Sequence, residues 1–434
     1  MKIAFCTLGC KINQFDTAAM QQQAVEASHS VVPFEEEADV YVINTCSVTE
    51  KSDYQSRQLV RRALKTNPAA RIVVTGCYAQ THPEELLQIQ GVDVVLGNQE
   101  KGDWLNYLGG CEKAAAPLQE VNTVFSRGPL QQPIIHRFGE RTRAFVKVQD
   151  GCDFKCSFCL IPRARGPSRS VLMEQIIGQI RSLVDGGYQE AVLTGVNLGL
   201  YGRDFEPKQS LADLVRRILR ETDLPRLRLS SIEPKTITPE LIEILSSLPR
   251  ICRHLHIPLQ SGDDQVLKRM NRHYTASYYR ELIHSIHAKI PGIGIGTDVM
   301  VGFPEEGETE FKHTFDLLSD LPMSYFHVFP YSPRPQTPAA SFRGQVTNSI
   351  KSGRSLLLRR LGQEKMKKFQ EAFLGRSLKA LVEEERDPDS GRLKGYTDNY
   401  IKVLLDGPDS HKNKILSVRP TSLLETGVLC KIEH

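Results

Sequence analysis

Cys152, Cys156 and Cys159 stand in a C-x3-C-x2-C run, with Phe158 just before the last of them. Three thiolates this close can hold three irons of a 4Fe–4S cluster. No fourth cysteine follows, so one iron is left without a protein ligand. An open iron can chelate a small molecule and pass it an electron. The alternative is a structural zinc site, but that wants four ligands, usually in paired C-x2-C or Cys/His units. His136 is the nearest upstream histidine, and none lies close downstream.

An open-iron cluster is the arrangement radical S-adenosylmethionine (SAM) chemistry needs, in which the cofactor supplies the radical and the protein positions it. A second trio is scattered: Cys10 in Leu8-Gly9-Cys10, Cys46 in Asn44-Thr45-Cys46, and Cys77 in Thr75-Gly76-Cys77. Any one of these alone reads best as a small buried hydrophobe. Each, however, falls just past a strand candidate, namely Lys2–Cys6, Asp39–Asn44 and Arg71–Thr75. Equivalent positions on neighbouring strands would bring residues some 30 apart into one place, pointing to a second 4Fe–4S cluster, again with an open iron. Gly9 and Gly76 would allow close backbone approach or a positive-φ turn. Cys6, within the first strand, and Cys111, in a tail, are not expected to be ligands.

Those strands, with a fourth at Val92–Leu96, alternate with helical stretches near Gln14–Ala27, Glu50–Thr66 and Pro83–Gln88. Buried parallel strands with crossover helices predict a doubly wound α/β layer, whose ligands bind at the carboxyl ends of the strands. Residues 109–137 lack periodicity and read as a linker. From Arg143, strand and helix alternate six times, which predicts an open (β/α)6, TIM-like barrel with its active site at the strands' carboxyl ends. Thr194, Gly195 and Asn197 end the second strand, Ser230 and Glu233 the third, and Gln260 the fourth. These six residues are the candidates for SAM contacts, the competing reading for each being a cap or turn.

Lys351–Lys379 carries nine basic residues against Glu364 and Glu371. It reads as a basic helix, either a solvated face or a phosphate footprint. Five short strands follow, suggesting a small OB-like β-barrel in which Tyr396, Asn399 and Tyr400 could meet bases or equally serve as structural residues of a small core. The division is then residues 1–112, a linker at 113–137, a core at 138–368 and a terminal module at 371–434. Across 434 residues the formal net charge is only +4, so global charge says little about partners. No apolar run approaches the roughly 20 residues of a membrane span, and no signal peptide is evident. A reducing, cytoplasmic setting is expected, where patterned cysteines are more often metal ligands than disulfides.

The ordered motifs TLGCKINQFDT, NTCSVTEKS, GCYAQ, GCDFKCSFCLIPRARGPSRS, LTGVNLG, SSIEP, HIPLQSGDD, LKRMNRHYT and DVMVGFPEE resemble the methylthiotransferase family of radical-SAM enzymes over nearly the whole chain. Cys10-Lys11-Ile12-Asn13-Gln14 is most similar to the MtaB type, although Pro167 stands where that type usually has arginine. The resemblance implies an N-terminal methylthiotransferase domain, a radical-SAM core and a C-terminal TRAM domain. It also implies two 4Fe–4S clusters and SAM, with metal ligands Cys10, Cys46, Cys77, Cys152, Cys156 and Cys159. The implied reaction puts a methylthio group on C2 of N6-threonylcarbamoyladenosine at position 37, in a tRNA anticodon stem-loop. It would draw on an external electron donor and a sulfur source. Rival readings are the same chemistry on N6-isopentenyladenosine, or on an aspartate of a ribosomal protein, and a non-enzymatic iron–sulfur RNA-binding protein.

Overall fold

The computed structural model describes residues 1–109, 113, 116–124, 128–139 and 141–433; Cys111 lies outside the described residues. The first layer is built from β1 (Lys2–Thr7), β2 (Ser30–Val32), β3 (Val40–Thr45), β4 (Arg71–Gly76), β5 (Val94–Leu96) and β6 (Leu118–Glu120). They form one sheet in the order β2-β1-β3-β4-β5-β6, with every pair parallel. Helix α1 (Lys11–Glu26) buries Met20 and Ala24 against one face. Helix α2 (Glu50–Thr66) buries Val60 and Ala63 against the other, so the layer is doubly wound as expected. Strand β6 lies inside the stretch read as linker. Its three residues, Leu118-Gln119-Glu120, are too few to show a period, and edge pairing with β5 alone makes them a strand.

The core runs through β7 (Arg143–Lys147), β8 (Gln149–Asp150), β9 (Arg169–Ser170), β10 (Glu190–Thr194), β11 (Arg226–Leu229), β12 (His254–His256), β13 (Gly294–Val301) and β14 (Tyr325–Pro330). Strands β7, β10 and β11 pair in parallel, as do β12, β13 and β14. Parallel bridges Leu227–Ile251 and Ser231–His256 join the two halves. Six strands curve this way around one large apolar core, the partial barrel the sequence predicts. Helix starts follow local chemistry: Ser210 and Asp213 form a capping box, and Thr238 and Asp263 cap the next two helices.

The last module is β15 (Leu378–Arg386), β16 (Leu393–Thr397), β17 (Lys402–Leu405), β18 (Ile415–Leu424) and β19 (Gly427–Ile432), closed as a barrel. Its β16–β17 turn favours the structural one of the two readings of Tyr396, Asn399 and Tyr400. The turn plugs the amino end of the core barrel. Arg226 and Arg228 donate to the carbonyls of Tyr396 (2.9 Å), Thr397 (3.0 Å) and Asp398 (3.0 Å). Tyr400 stacks on His254 at 4.5 Å, and Asn399 is 1% exposed. The first residues of all six barrel strands, Arg143, Glu190, Arg226, His254, Gly294 and Tyr325, face this plug directly or through the arginines.

Candidate active site

Cys10, Cys46 and Cys77 follow β1, β3 and β4, three adjacent strands. Order reverses between β1 and β3, the point where an open α/β sheet leaves a crevice for ligands. Asn13, one turn into α1, ties the loops together by donating to Leu8 O (2.8 Å) and Thr45 O (2.9 Å). Gly9 has φ +94°, and a Cβ there would lie 2.8 Å from Cys46 Sγ. Gly76 has φ +96°, and its Cβ would lie 2.4 Å from Thr45 O. Both positions therefore need glycine for conformation and for space. Cys10 is exposed, and Cys46 and Cys77 are buried.

Cys152, Cys156 and Cys159 lie on the loop after β8. Burial, followed by the neighbouring thiols, pushes Cys46 up to about 11 and Cys159 up to about 12. Burial likewise pushes Cys152 up to about 11. Clustered thiols that resist ionising are what a cationic iron cluster would relieve, since binding releases their protons. All nine described cysteines are free thiols. Both trios therefore fit three-ligand clusters by donor type, convergence and charge.

Three of the six candidate SAM residues stand beside the second trio: Asn197 by Cys152, Glu233 through Arg272 by Cys156, and Gln260 in one cavity wall with Cys159. Thr194 accepts at its carbonyl from Val148 N (2.9 Å). A Cβ on Gly195 would lie 2.8 Å from Gln149 Oε1, and Asn197 N donates to that oxygen (2.9 Å). Asn197 Nδ2 stands 3.9 Å from Cys152 Sγ. Asn197 Oδ1 and Ser230 Oγ are buried without a hydrogen-bond partner among the described residues, which fits a polar cofactor. Glu233 is bidentate to Arg272 (2.8 and 2.7 Å), and burial still outweighs that cation and raises its carboxyl. Gln260 takes a positive φ of 68° and lines the central cavity.

That cavity, of about 240 Å³, lies between the two trios, with Cys77 and Cys159 both in its wall beside Gln260, Asp298, Phe329 and Arg334. Several residues that sequence reasoning misses shape it. Arg334 crosses from the core to the Asp53 carboxylate and to Ser47 Oγ (3.0 Å), next to Cys46. Asp298 accepts from His256 Nε2 (3.0 Å) and His327 Nδ1 (3.2 Å) below the cavity. Burial alone would raise the Asp298 carboxyl, but these imidazoles hold it well below the usual range. Arg272 Nη1 stands 3.5 Å from Cys156 Sγ. Arg272, His256 and Asp298 carry a visible signal, their places in the LKRMNRHYT, HIPLQSGDD and DVMVGFPEE motifs; Arg334 and Asp53 carry none, because their pairing joins segments far apart in sequence.

The model of "Uncharacterized protein family UPF0004" matches residues 2–97, and that of the radical SAM superfamily matches residues 146–318. A threonylcarbamoyladenosine tRNA methylthiotransferase MtaB of Bacillus subtilis is 41% identical over 96% of this chain and 93% of its own. The protein of that name from Aquifex aeolicus is 40% identical over 94% and 97%. A tRNA-2-methylthio-N(6)-dimethylallyladenosine synthase of Moorella thermoacetica is 33% identical over 96% and 94%. Among solved structures, the radical SAM methyltransferase TsrM of Kitasatospora setae shares the fold, with a TM-score of 0.58 at 15% identity over 78% and 74% of the two chains. Near-full-length identity at this level, on a chain carrying both cysteine trios, makes the protein a member of the radical-SAM methylthiotransferase family.

Proposed function

We propose that the protein adds a methylthio group to C2 of N6-threonylcarbamoyladenosine at position 37 of tRNA. One observation carries the reading: Cys77 of one trio and Cys159 of the other line the same cavity. A substrate base held there would meet both sites at once. When bound, a cluster on Cys152, Cys156 and Cys159 with SAM supplies a 5′-deoxyadenosyl radical, and one on Cys10, Cys46 and Cys77 supplies the sulfur. An aromatic C–H is too strong and too weakly acidic for a side-chain base, so a radical is required.

The chain's own residues bind, orient and exclude water. Asn197, Ser230 and Glu233 are proposed to hold the cofactor, with Thr194 and Gly195 offering backbone groups and Gln260 reaching from the cavity wall. Phe329, 45% exposed in that wall, offers a face on which a base can stack. Arg334 keeps the two halves of the site together. An electron donor and a sulfur source are needed from outside the chain. The terminal barrel, of the TRAM kind, and the basic helix before it are proposed to grip the RNA backbone. No helix among the described residues is long and apolar enough to cross a membrane.

Nucleoside mass spectrometry of tRNA from cells with and without the gene tests this. Loss of the 2-methylthio derivative, with N6-threonylcarbamoyladenosine accumulating, is the expected result. Loss of methylthiolated isopentenyladenosine instead would move the substrate, and an unchanged profile would sink the tRNA reading.

A further inference from the structure

We propose that Arg165 is a positioning residue that joins the two cysteine trios and raises the reduction potential of the cluster on Cys10, Cys46 and Cys77. This rests on the two-cluster reading above. Arg165 is 1% exposed. Its Nη1 donates to both Asp150 oxygens (3.0 and 2.9 Å), two residues before Cys152. Its Nη2 donates to Asn13 Oδ1 (2.5 Å), three residues after Cys10, and pairs with Asp16 at 3.5 Å. Arg165 closes the helix Ile161–Arg165, which packs against the helix Cys77–Thr81, and its buried Nε has no hydrogen-bond partner among the described residues. One side chain thus ties the strand end before Cys152 to the helix that follows Cys10, on a helix packed against the segment that opens with Cys77.

Charge around it is unbalanced. Among the described residues, Lys101, Lys147 and Arg165 form ion pairs with Asp16 and Asp150 alone, with every one of the five side chains less than a tenth exposed. Three cations against two carboxylates leave one positive charge in excess, and an excess buried charge is costly unless something pairs with it. A thiolate-ligated cluster is anionic and sits where the excess charge lies. A fixed cation beside the cluster favours its reduced, more negative state.

The test is a redox titration, followed by electron paramagnetic resonance, of the full chain with Cys152, Cys156 and Cys159 changed to alanine, so that only the first site can hold a cluster. Arg165→Gln is expected to lower the midpoint potential, and Arg165→Lys, which keeps the charge, to lower it less. Asp16→Asn enlarges the excess charge and is expected to raise it. A merely structural arginine would change cluster content and leave the midpoint where it was. A midpoint unmoved in all three variants overturns the proposal. Should the glutamine variant hold no cluster, the lysine and Asp16→Asn variants decide: midpoints moved in the expected directions support the proposal, and unmoved midpoints overturn it. A triple-alanine protein that binds no cluster would overturn the two-cluster reading itself, an outcome distinct from a bound cluster with an unmoved potential.

Discussion

Cys10 follows the parallel strand β1 and Cys152 the short antiparallel strand β8, and each is proposed to serve a different step. Cys10→Ala should leave SAM cleavage within a few-fold of normal while abolishing carbon–sulfur bond formation. Quantifying 5′-deoxyadenosine and methylthiolated RNA in one reaction checks this, and equal loss of both would argue against separate roles. Glu190 illustrates a residue that does no chemistry. Burial alone would raise its carboxyl, but Arg228 and Arg226 outweigh that and hold it at about 2 against an ordinary 4.5. A depressed carboxyl contributes stability that is fully present above its unfolded value and is lost as pH falls through the folded one. Urea midpoints should therefore fall steeply between about pH 4.5 and 2. Glu190→Gln should flatten that dependence and cost about 3–5 kcal/mol at neutral pH, because it leaves two arginines buried without their partner.

At the scale of elements, the basic segment resolves into two populations along the helix Asn348–Glu371. Lys351 donates to Tyr331 O (2.9 Å), Arg354 pairs with Glu306 (2.8 Å), and Lys365 caps the carbonyls of Ser319 and Leu321. These charges hold the helix to the core. Arg359, Arg360, Lys367 and Lys368 are exposed or half-buried and recur on one face. Changing these four to glutamine should weaken tRNA binding and flatten its salt dependence, by about 0.7–0.9 in log–log slope for each phosphate no longer neutralised. Fluorescence anisotropy across a salt series measures it, and an unchanged slope would place the RNA elsewhere. Charge count alone cannot separate the two populations, because local sequence does not show which cations find a carbonyl or carboxylate. The same limit explains what else is legible. Strands such as Val40–Thr45 are continuous apolar runs, buried on both faces, and their ends can be read to within one or two residues. The Cys152 trio can be read from its own spacing, and the scattered trio because topology brings adjacent strand ends together. Arg334–Asp53 and the charges around Asp16 cannot, because they depend on how one domain seats against another.

At the scale of the molecule, the turn at Thr397–Tyr400 serves as the floor of the core barrel rather than as an RNA surface. Tyr400→Ala should lower stability by about 2–4 kcal/mol, through the loss of aromatic burial and stacking. It should leave the salt slope of tRNA binding unchanged, which equilibrium unfolding and the same anisotropy series would check together. The plug also closes the amino end of the core barrel and leaves the carboxyl end, where the central cavity lies, as an approach to both trios. Small molecules and an RNA base using that approach would have to take turns, so an RNA base seated in the cavity is expected to hold back both the entry of SAM and the exit of its fragments. Turnover is then paced by RNA release: product RNA at saturation should slow 5′-deoxyadenosine release as strongly as it slows methylthiolation.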